Sequence, residues 1–232
     1  MATVLLARHG LTAVTGSVLA GQAPGLHLDE RGIAQAARLA ERVAGLPLAA
    51  VVSSPLERCQ ETVAPIGRAV ETDARLVEAG YGDWTGQTLK SLGKDPLWKV
   101  VQAHPSAVTF PGGESMRAMA ERAVGAVREW DAKLGDDAVW LACSHGDVIK
   151  AIVADALGLH LDLFQRIVID PASVTIIRYT ATRPFVVRVN DTSGDLTPFA
   201  PPKKKRSRGA RSASGSVSDA VVGGGAGPSS GS

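Results

Sequence analysis

Three short segments carry residue types suited to handling a phosphoryl group, and each lies just past an apolar run. Arg8-His9-Gly10 ends the run Thr3–Ala7, Arg58 comes shortly after Ala49–Val52, and His145-Gly146 comes shortly after Ala138–Ala142. Two histidines and two arginines converging from separate segments would form a cleft for a compact dianion. Arginine presents planar forks of donors to phosphate oxygens, and helix N-termini after Ser54 and Gly146 add backbone N–H groups. Phosphate is the natural guest. Taken alone, Arg58 reads equally as an exposed helix residue pairing with Glu57 or Glu61. His27, His104 and His160 read as ordinary hydrogen-bonded side chains, and no pair among them has zinc-like spacing. Cys59 and Cys143 form neither a disulfide framework nor a CxxC pair, and they read as small hydrophobes beside the cleft. No metal and no cofactor is expected.

Such a cleft needs elements that bring distant segments to one edge. Thr3–Ala7 has no helical period and ends near a glycine, as a buried strand does. Asp29 is a plausible N-cap for a helix carrying Ile33, Ala36, Ala37, Ala40, Val43 and Ala44, stopped by Gly45-Leu46-Pro47. After the strand Ala49–Val52, Ser54-Pro55-Leu56-Glu57 predicts a helix start with a capping serine, proline at the first position and a capping-box glutamate. Gly112-Gly113 opens a long helix with Met116, Met119, Ala120, Ala123, Val127, Trp130 and Leu134 on one stripe, read as core. Ala138–Ala142 is the next strand, followed by a helix with Val148, Ile149, Ile152, Val153, Ala156 and Leu157. Val174–Tyr179 and Phe185–Val189 are the last strand candidates. This alternation predicts an α/β fold, a three-layer arrangement with a mostly parallel central sheet flanked by helices on both faces. Ligands in such sheets sit at the carboxyl ends of the strands.

The chain has 232 residues, 45% hydrophobic and 21% charged, which suits one good-sized globular domain. Its formal charge of +2 misleads as a pointer to nucleic acid. From Asp195 onward there are six cations against two anions, so residues 1–194 hold 19 against 21, a balance of −2. Residues 197–202 read as an extended linker, and 195–232 as a disordered, basic, Ser/Gly-rich tail after a domain spanning 1–194. No signal-peptide or membrane-span pattern opens the chain, because Arg8-His9 interrupts the first apolar run. A cytoplasmic location is expected, with a small-molecule phosphate ester as partner and neither membrane nor nucleic acid.

Read in order, Leu6-Ala-Arg8-His9-Gly10-Leu-Thr12, Ser53-Ser-Pro-Leu-Glu-Arg58-Cys-Gln-Glu-Thr62, Leu76-Val-Glu78-Ala-Gly-Tyr-Gly82-Asp-Trp84-Thr-Gly86, Phe110-Pro-Gly-Gly-Glu-Ser115 and Ser144-His145-Gly146 resemble the histidine phosphatase superfamily, the phosphoglycerate-mutase-like proteins. The resemblance covers nearly all of residues 1–194. It implies that His9 is the nucleophile, that Arg8, Arg58 and a protonated His145 bind the transferring phosphoryl group, and that Glu78 is the proton donor. Thr12 and Gln22 are further phosphate-binding candidates, and catalysis by His9, Glu78 and His145 would need no metal. Flanking cations would disfavour protonation of His9 and so keep it nucleophilic.

Departures from the family pattern point to one branch. Leu11 and Thr15 stand where phosphoglycerate mutases have an acidic residue and an asparagine, and Asp147 stands where they have asparagine. An anionic Asp147 would repel a second acidic group on the substrate. The resemblance therefore implies a phosphomonoesterase, with a phosphomutase as the alternative and a non-catalytic module with a basic tail as a second one. The segment from Leu89 to Pro111 and the stretch Gly21–Gly25 are expected to line the cleft mouth. Lys90, Lys94 and Lys99 could meet an acidic leaving group there or simply form a solvated helix face.

Overall fold

In the computed structural model, which describes residues 2–200, six strands build one sheet. They are β1 (Thr3–Arg8), β2 (Leu48–Ser53), β3 (Val70–Thr72), β4 (Val139–Ser144), β5 (Val174–Tyr179) and β6 (Pro184–Asp191), in the spatial order β3-β2-β4-β1-β5-β6. Strands β3, β2, β4 and β1 run parallel, while β5 and β6 are antiparallel additions at the β1 side. The mostly parallel sheet read from the alternating pattern is thus present. Period-two alternation divides β1 between two core layers. Val4 and Leu6 pack with α5 (Met116–Leu134) and α6 (Gly146–Ala156), whereas Leu5 and Ala7 pack with α1 (Glu30–Val43) and α2 (Glu57–Val63). β1, β2 and β4 end level with one another: Arg8 pairs with Ser144, and Ser53 with Cys143. That common edge is where Arg8-His9, Ser54 and His145 leave the sheet.

Helix α1 is rotated from the expected stripe. Gly32, Ala36, Leu39 and Val43 are buried, while Ile33 is 60% exposed and Ala37 is exposed. Close approach explains the rotation. A Cβ on Gly32 would lie 2.0 Å from the Leu11 carbonyl oxygen, so the first turn of α1 presses its glycine face directly onto the loop after β1. Asp29 caps the helix as expected, its carboxylate accepting from the Gly32 N–H at 2.8 Å, and its own N–H donates to the Leu11 carbonyl. Gly32→Ala is therefore expected to destabilise the fold by ~1–3 kcal/mol, the usual range for overpacking. A urea titration reading the shift in midpoint checks it, and an unchanged midpoint would contradict this packing.

Three further expectations are corrected. Helix α2 begins at Glu57 with Leu56, which has no side-chain acceptor, as N-cap; Ser54 Oγ accepts from His145 at 2.8 Å and from the Leu56 N–H at 3.4 Å, and the Glu57 carboxylate accepts from the Gly25 N–H. The long helix α5 starts at Met116 under a Ser115 cap rather than at the Gly112-Gly113 pair, though its Met116, Met119, Ala123, Val127 and Trp130 stripe is core as read. The boundary after residue 194 falls short. Leu196 is fully buried beside Leu39, Val43 and Leu46, and Thr197–Phe199 form a 3₁₀ turn rather than an extended linker. The rest of the expected tail, residues 201–232, lies outside the described residues. Among the described residues no helix is long and apolar enough to cross a membrane.

The segment between Leu89 and Pro111 folds as α3 (Leu89–Leu92), α4 (Pro96–Ala103) and a 3₁₀ turn, and it docks Leu92, Val101, Val108 and Phe110 into the core layer beneath α5. Within it, only Leu89 reaches the cleft, and Lys90, Lys94 and Lys99 stay on the exposed face.

Candidate active site

At the shared strand edge lies a cleft of about 380 Å³ that includes Arg8, His9, Thr12, Arg58, Glu78 and Asp147 among its lining residues. The backbone of His9 is fixed on both sides. Its N–H donates to the Ser144 carbonyl at 3.0 Å, and its carbonyl accepts from the Ala172 N–H at 3.3 Å. The His9 ring is 7% exposed, with Nδ1 2.8 Å from the Gly10 carbonyl oxygen. A carbonyl only accepts, so Nδ1 carries the proton and Nε2 keeps its lone pair. Burial, then Arg58 and Arg8, push the His9 pKa down to about 3. This imidazole is neutral and nucleophilic across ordinary pH.

Arg8 and Arg58 are held by backbone carbonyls. Arg8 Nη1 donates to Ile169 at 2.7 Å, and its guanidinium lies against Gly146; Arg58 Nη2 donates to Gly21 at 2.6 Å. Arg58 is 1% exposed and pairs with neither Glu57 nor Glu61. Three buried nitrogens, Arg8 Nε, Arg58 Nε and Arg58 Nη1, have no hydrogen-bond partner in the protein. Leaving a buried charged donor unpaired costs more than the ~1–3 kcal/mol typical of a neutral one.

His145 differs from the expectation. It is fully buried, its ring edge-to-face with His9 at 5.2 Å between centroids, and it does not line the cleft. Arg58 Nη2 lies 3.2 Å from its Nδ1 and can only donate, so Nδ1 is unprotonated and Nε2–H donates to Ser54 Oγ at 2.8 Å. Burial, His9 and the arginines hold its pKa well below the ordinary histidine value. The protonated His145 read from the sequence is corrected to a neutral acceptor that orients Arg58. Cys59 and Cys143 are buried alongside, and burial keeps the Cys143 thiol protonated.

Glu78 is half-buried in the cleft wall, its Oε1 accepting from the Ala79 N–H at 3.0 Å. Burial, and secondly the charge of Asp147, push its pKa up to about 7 against the lowering pull of Arg58 and Arg8. Its loop is clamped from several sides. Arg122 donates to the carbonyls of Arg75, Val77 and Glu78 and to the Glu114 carboxylate, which in turn accepts from the Gly80 N–H at 2.7 Å. Gly82, at φ +53°, approaches so closely that a Cβ there would sit 2.1 Å from the Pro111 carbonyl. Gln22 belongs to this clamp: it is exposed, outside the cleft lining, and donates to the Glu78 carbonyl at 2.8 Å, which corrects its reading as a phosphate ligand. Thr12 does line the cleft, its hydroxyl 2.9 Å from that of Thr15.

Of the far wall, the sequence singled out Asp147 but not the residues that hold it. Tyr81 donates its hydroxyl to Asp147 Oδ2 at 2.9 Å, and Lys150 Nζ lies 3.3 Å from Asp147 Oδ1 and 3.1 Å from Gln165 Oε1. A signal existed for half of it, because Asp147 and Lys150 stand three apart at the start of a helix leaving a strand end. Among the described residues no group of three or more His, Cys, Asp or Glu side chains is placed to hold a metal ion. The arrangement offers cationic donors, a neutral nucleophile and a carboxyl group poised near pH 7.

Residues 4–192 match the model of the histidine phosphatase superfamily (branch 1). The chain is 32% identical over 172 residues to glucosyl-3-phosphoglycerate phosphatase of Mycolicibacterium vanbaalenii, covering 68% of this chain and 76% of that one. It is 28% identical over 172 residues to phosphoserine phosphatase 1 of Hydrogenobacter thermophilus, covering 71% and 81%. The solved structure of a mycobacterial glucosyl-3-phosphoglycerate phosphatase superposes with a TM-score of 0.72 at 27% identity, covering 82% of this chain and 98% of that one. Two further curated mycobacterial relatives are matched over only part of their length, 40% of one and 54% of the other. With the strand-edge cleft built from the same ordered segments that the family match spans, the chain belongs to the histidine phosphatase superfamily.

Proposed function

We propose that the chain is a metal-independent phosphomonoesterase that hydrolyses small soluble phosphate esters through a phosphohistidine formed on His9. The observation carrying this reading is the neutral His9 imidazole beside three buried guanidinium nitrogens that lack partners. In the first step, His9 Nε2 attacks phosphorus while the bond to the leaving oxygen breaks. Glu78, protonated at or below pH 7, hands its proton to that oxygen. The Gly10 carbonyl continues to accept from Nδ1–H as the ring becomes cationic. In the second step, water attacks phosphorus and gives its proton to the Glu78 carboxylate, and the N–P bond breaks to return neutral His9 and release phosphate. Charge on the equatorial oxygens is met by Arg8 and Arg58, preorganised by their carbonyl anchors and by His145.

The test is phosphate release in excess chelator from a panel of sugar phosphates, nucleotides and phospho-amino acids, with alkaline denaturing quench to trap the phosphoenzyme. The expected result is undiminished release and a phosphoenzyme stable to base and labile to acid. Activity lost with chelator and restored by a divalent cation would overturn metal independence. Phosphoryl transfer between positions of one substrate without free phosphate would identify a mutase instead.

A further inference from the structure

Charge balance in the cleft sets the class of leaving group. Its lining contains three cations, Arg8, Arg58 and Lys150, and two carboxylic side chains, Glu78 and Asp147. Arg8 and Arg58 carry the partnerless nitrogens and match a phosphoryl dianion. Lys150 is neutralised by Asp147 at 3.3 Å and held by Gln165 at 3.1 Å, and the second Asp147 oxygen accepts from Tyr81. Glu78 contributes no cation in either state. Once the phosphoryl group is seated, no unpaired positive charge remains for a second anion, and the Asp147 carboxylate faces whatever the phosphate is attached to. Apart from Thr12 and Thr15, the other side chains of the wall are mostly apolar: Val18, Leu19, Leu26, Leu89, Ile167 and Val168, the last 60% exposed.

Resting on the phosphatase reading above, we propose that the substrate is a phosphate monoester whose leaving group is uncharged and largely apolar, and that the Asp147–Lys150 pair excludes leaving groups bearing a carboxylate. Esters of phosphoserine or phosphoglycerate type, the acidic compounds for which two relatives are named, are then poor substrates for this chain. A like charge placed opposite Asp147 is penalised, and a displaced Lys150 would leave Asp147 unpaired.

The experiment compares kcat/KM for two esters of one size, 4-methylphenyl phosphate and 4-carboxyphenyl phosphate, in the full chain. The wild type is expected to prefer the methyl ester by at least roughly 10-fold. Asp147→Asn should shrink that ratio and Lys150→Gln should widen it. Because Asp147 also raises the Glu78 pKa, the ratio of two substrates in one variant is the readout, and effects on proton donation common to both substrates cancel. A wild-type preference for the carboxylate ester, or a ratio unmoved by both variants, overturns the proposal while leaving the phosphatase reading intact. Release of phosphate from neither ester, nor from any member of the wider panel, removes the phosphatase reading and this proposal with it.

Discussion

His9→Ala is expected to lower kcat by on the order of 10⁵-fold and to abolish the phosphoenzyme, because no other side chain in the cleft can replace its Nε2. Every surrounding feature serves that one atom. The Gly10 carbonyl fixes the tautomer, the Ser144 carbonyl fixes the backbone, and burial with two arginines holds the pKa near 3. Neutral His9 is therefore available well below pH 6.5, and no acid limb near the ordinary histidine value arises from it. Stopped assays with the His9→Ala chain, run beside alkaline-quench trapping of the wild type, check both parts. Near-normal turnover by His9→Ala would mean that phosphorus is attacked by water directly and that the covalent route is wrong. Folding of the variant is read independently by circular dichroism and by its urea midpoint.

Glu78→Gln is expected to cost ~10²- to 10⁴-fold in kcat for esters whose leaving oxygen needs a proton, and much less in the first step for esters with good leaving groups. The pH profile gives a sharper signature. Wild-type kcat for poor leaving groups should fall as pH rises through about 7, where Glu78 loses its proton, and that limb should vanish in the glutamine variant. Stability should fall over the same rise in pH. A carboxyl whose pKa rises from 4.5 unfolded to about 7 folded binds protons more tightly in the native state, so its contribution is full below 4.5 and is lost as pH climbs to 7. Glutamine has no proton to lose. The variant should gain melting temperature relative to the wild type as pH rises through that window, with the largest gain above pH 7. A difference in melting temperature independent of pH would show that Glu78 is not strained in its charged state.

The sheet and the positions of Arg8, His9, Arg58 and His145 at one edge were legible because each follows an apolar run and strand ends in a parallel sheet are collinear, whereas Glu78 was reached only through the family resemblance. What could not be read is tertiary in origin. Arg122 reaches Glu78 across 44 residues and Tyr81 reaches Asp147 across 66, and no local spacing encodes such pairs. Ser54 looked like a cap because its local sequence is that of one, yet the helix begins at Glu57 and the buried His145 ring donates to the Ser54 hydroxyl. Ile33 carried more hydrophobicity than Gly32, but the glycine was needed against the Leu11 carbonyl and turned the helix by one position. The charge state of His145 depended on its Arg58 contact, which is a distance rather than a motif.

The three parallel strand ends have a consequence for how this protein can change. The phosphoryl-handling groups are anchored to the sheet edge and to carbonyls around it, while the leaving-group wall is drawn from the loop carrying Val18 to Leu26 and the stretch Ile167–Ile169 after α6. The wall segments hold Arg58 and Arg8 through the backbone carbonyls of Gly21 and Ile169, so wall side chains can be exchanged while those anchors stay, whereas an insertion or deletion in either segment would displace an arginine. For the same reason, a shared set of reacting residues is a poor guide to which ester any one descendant of this scaffold consumes.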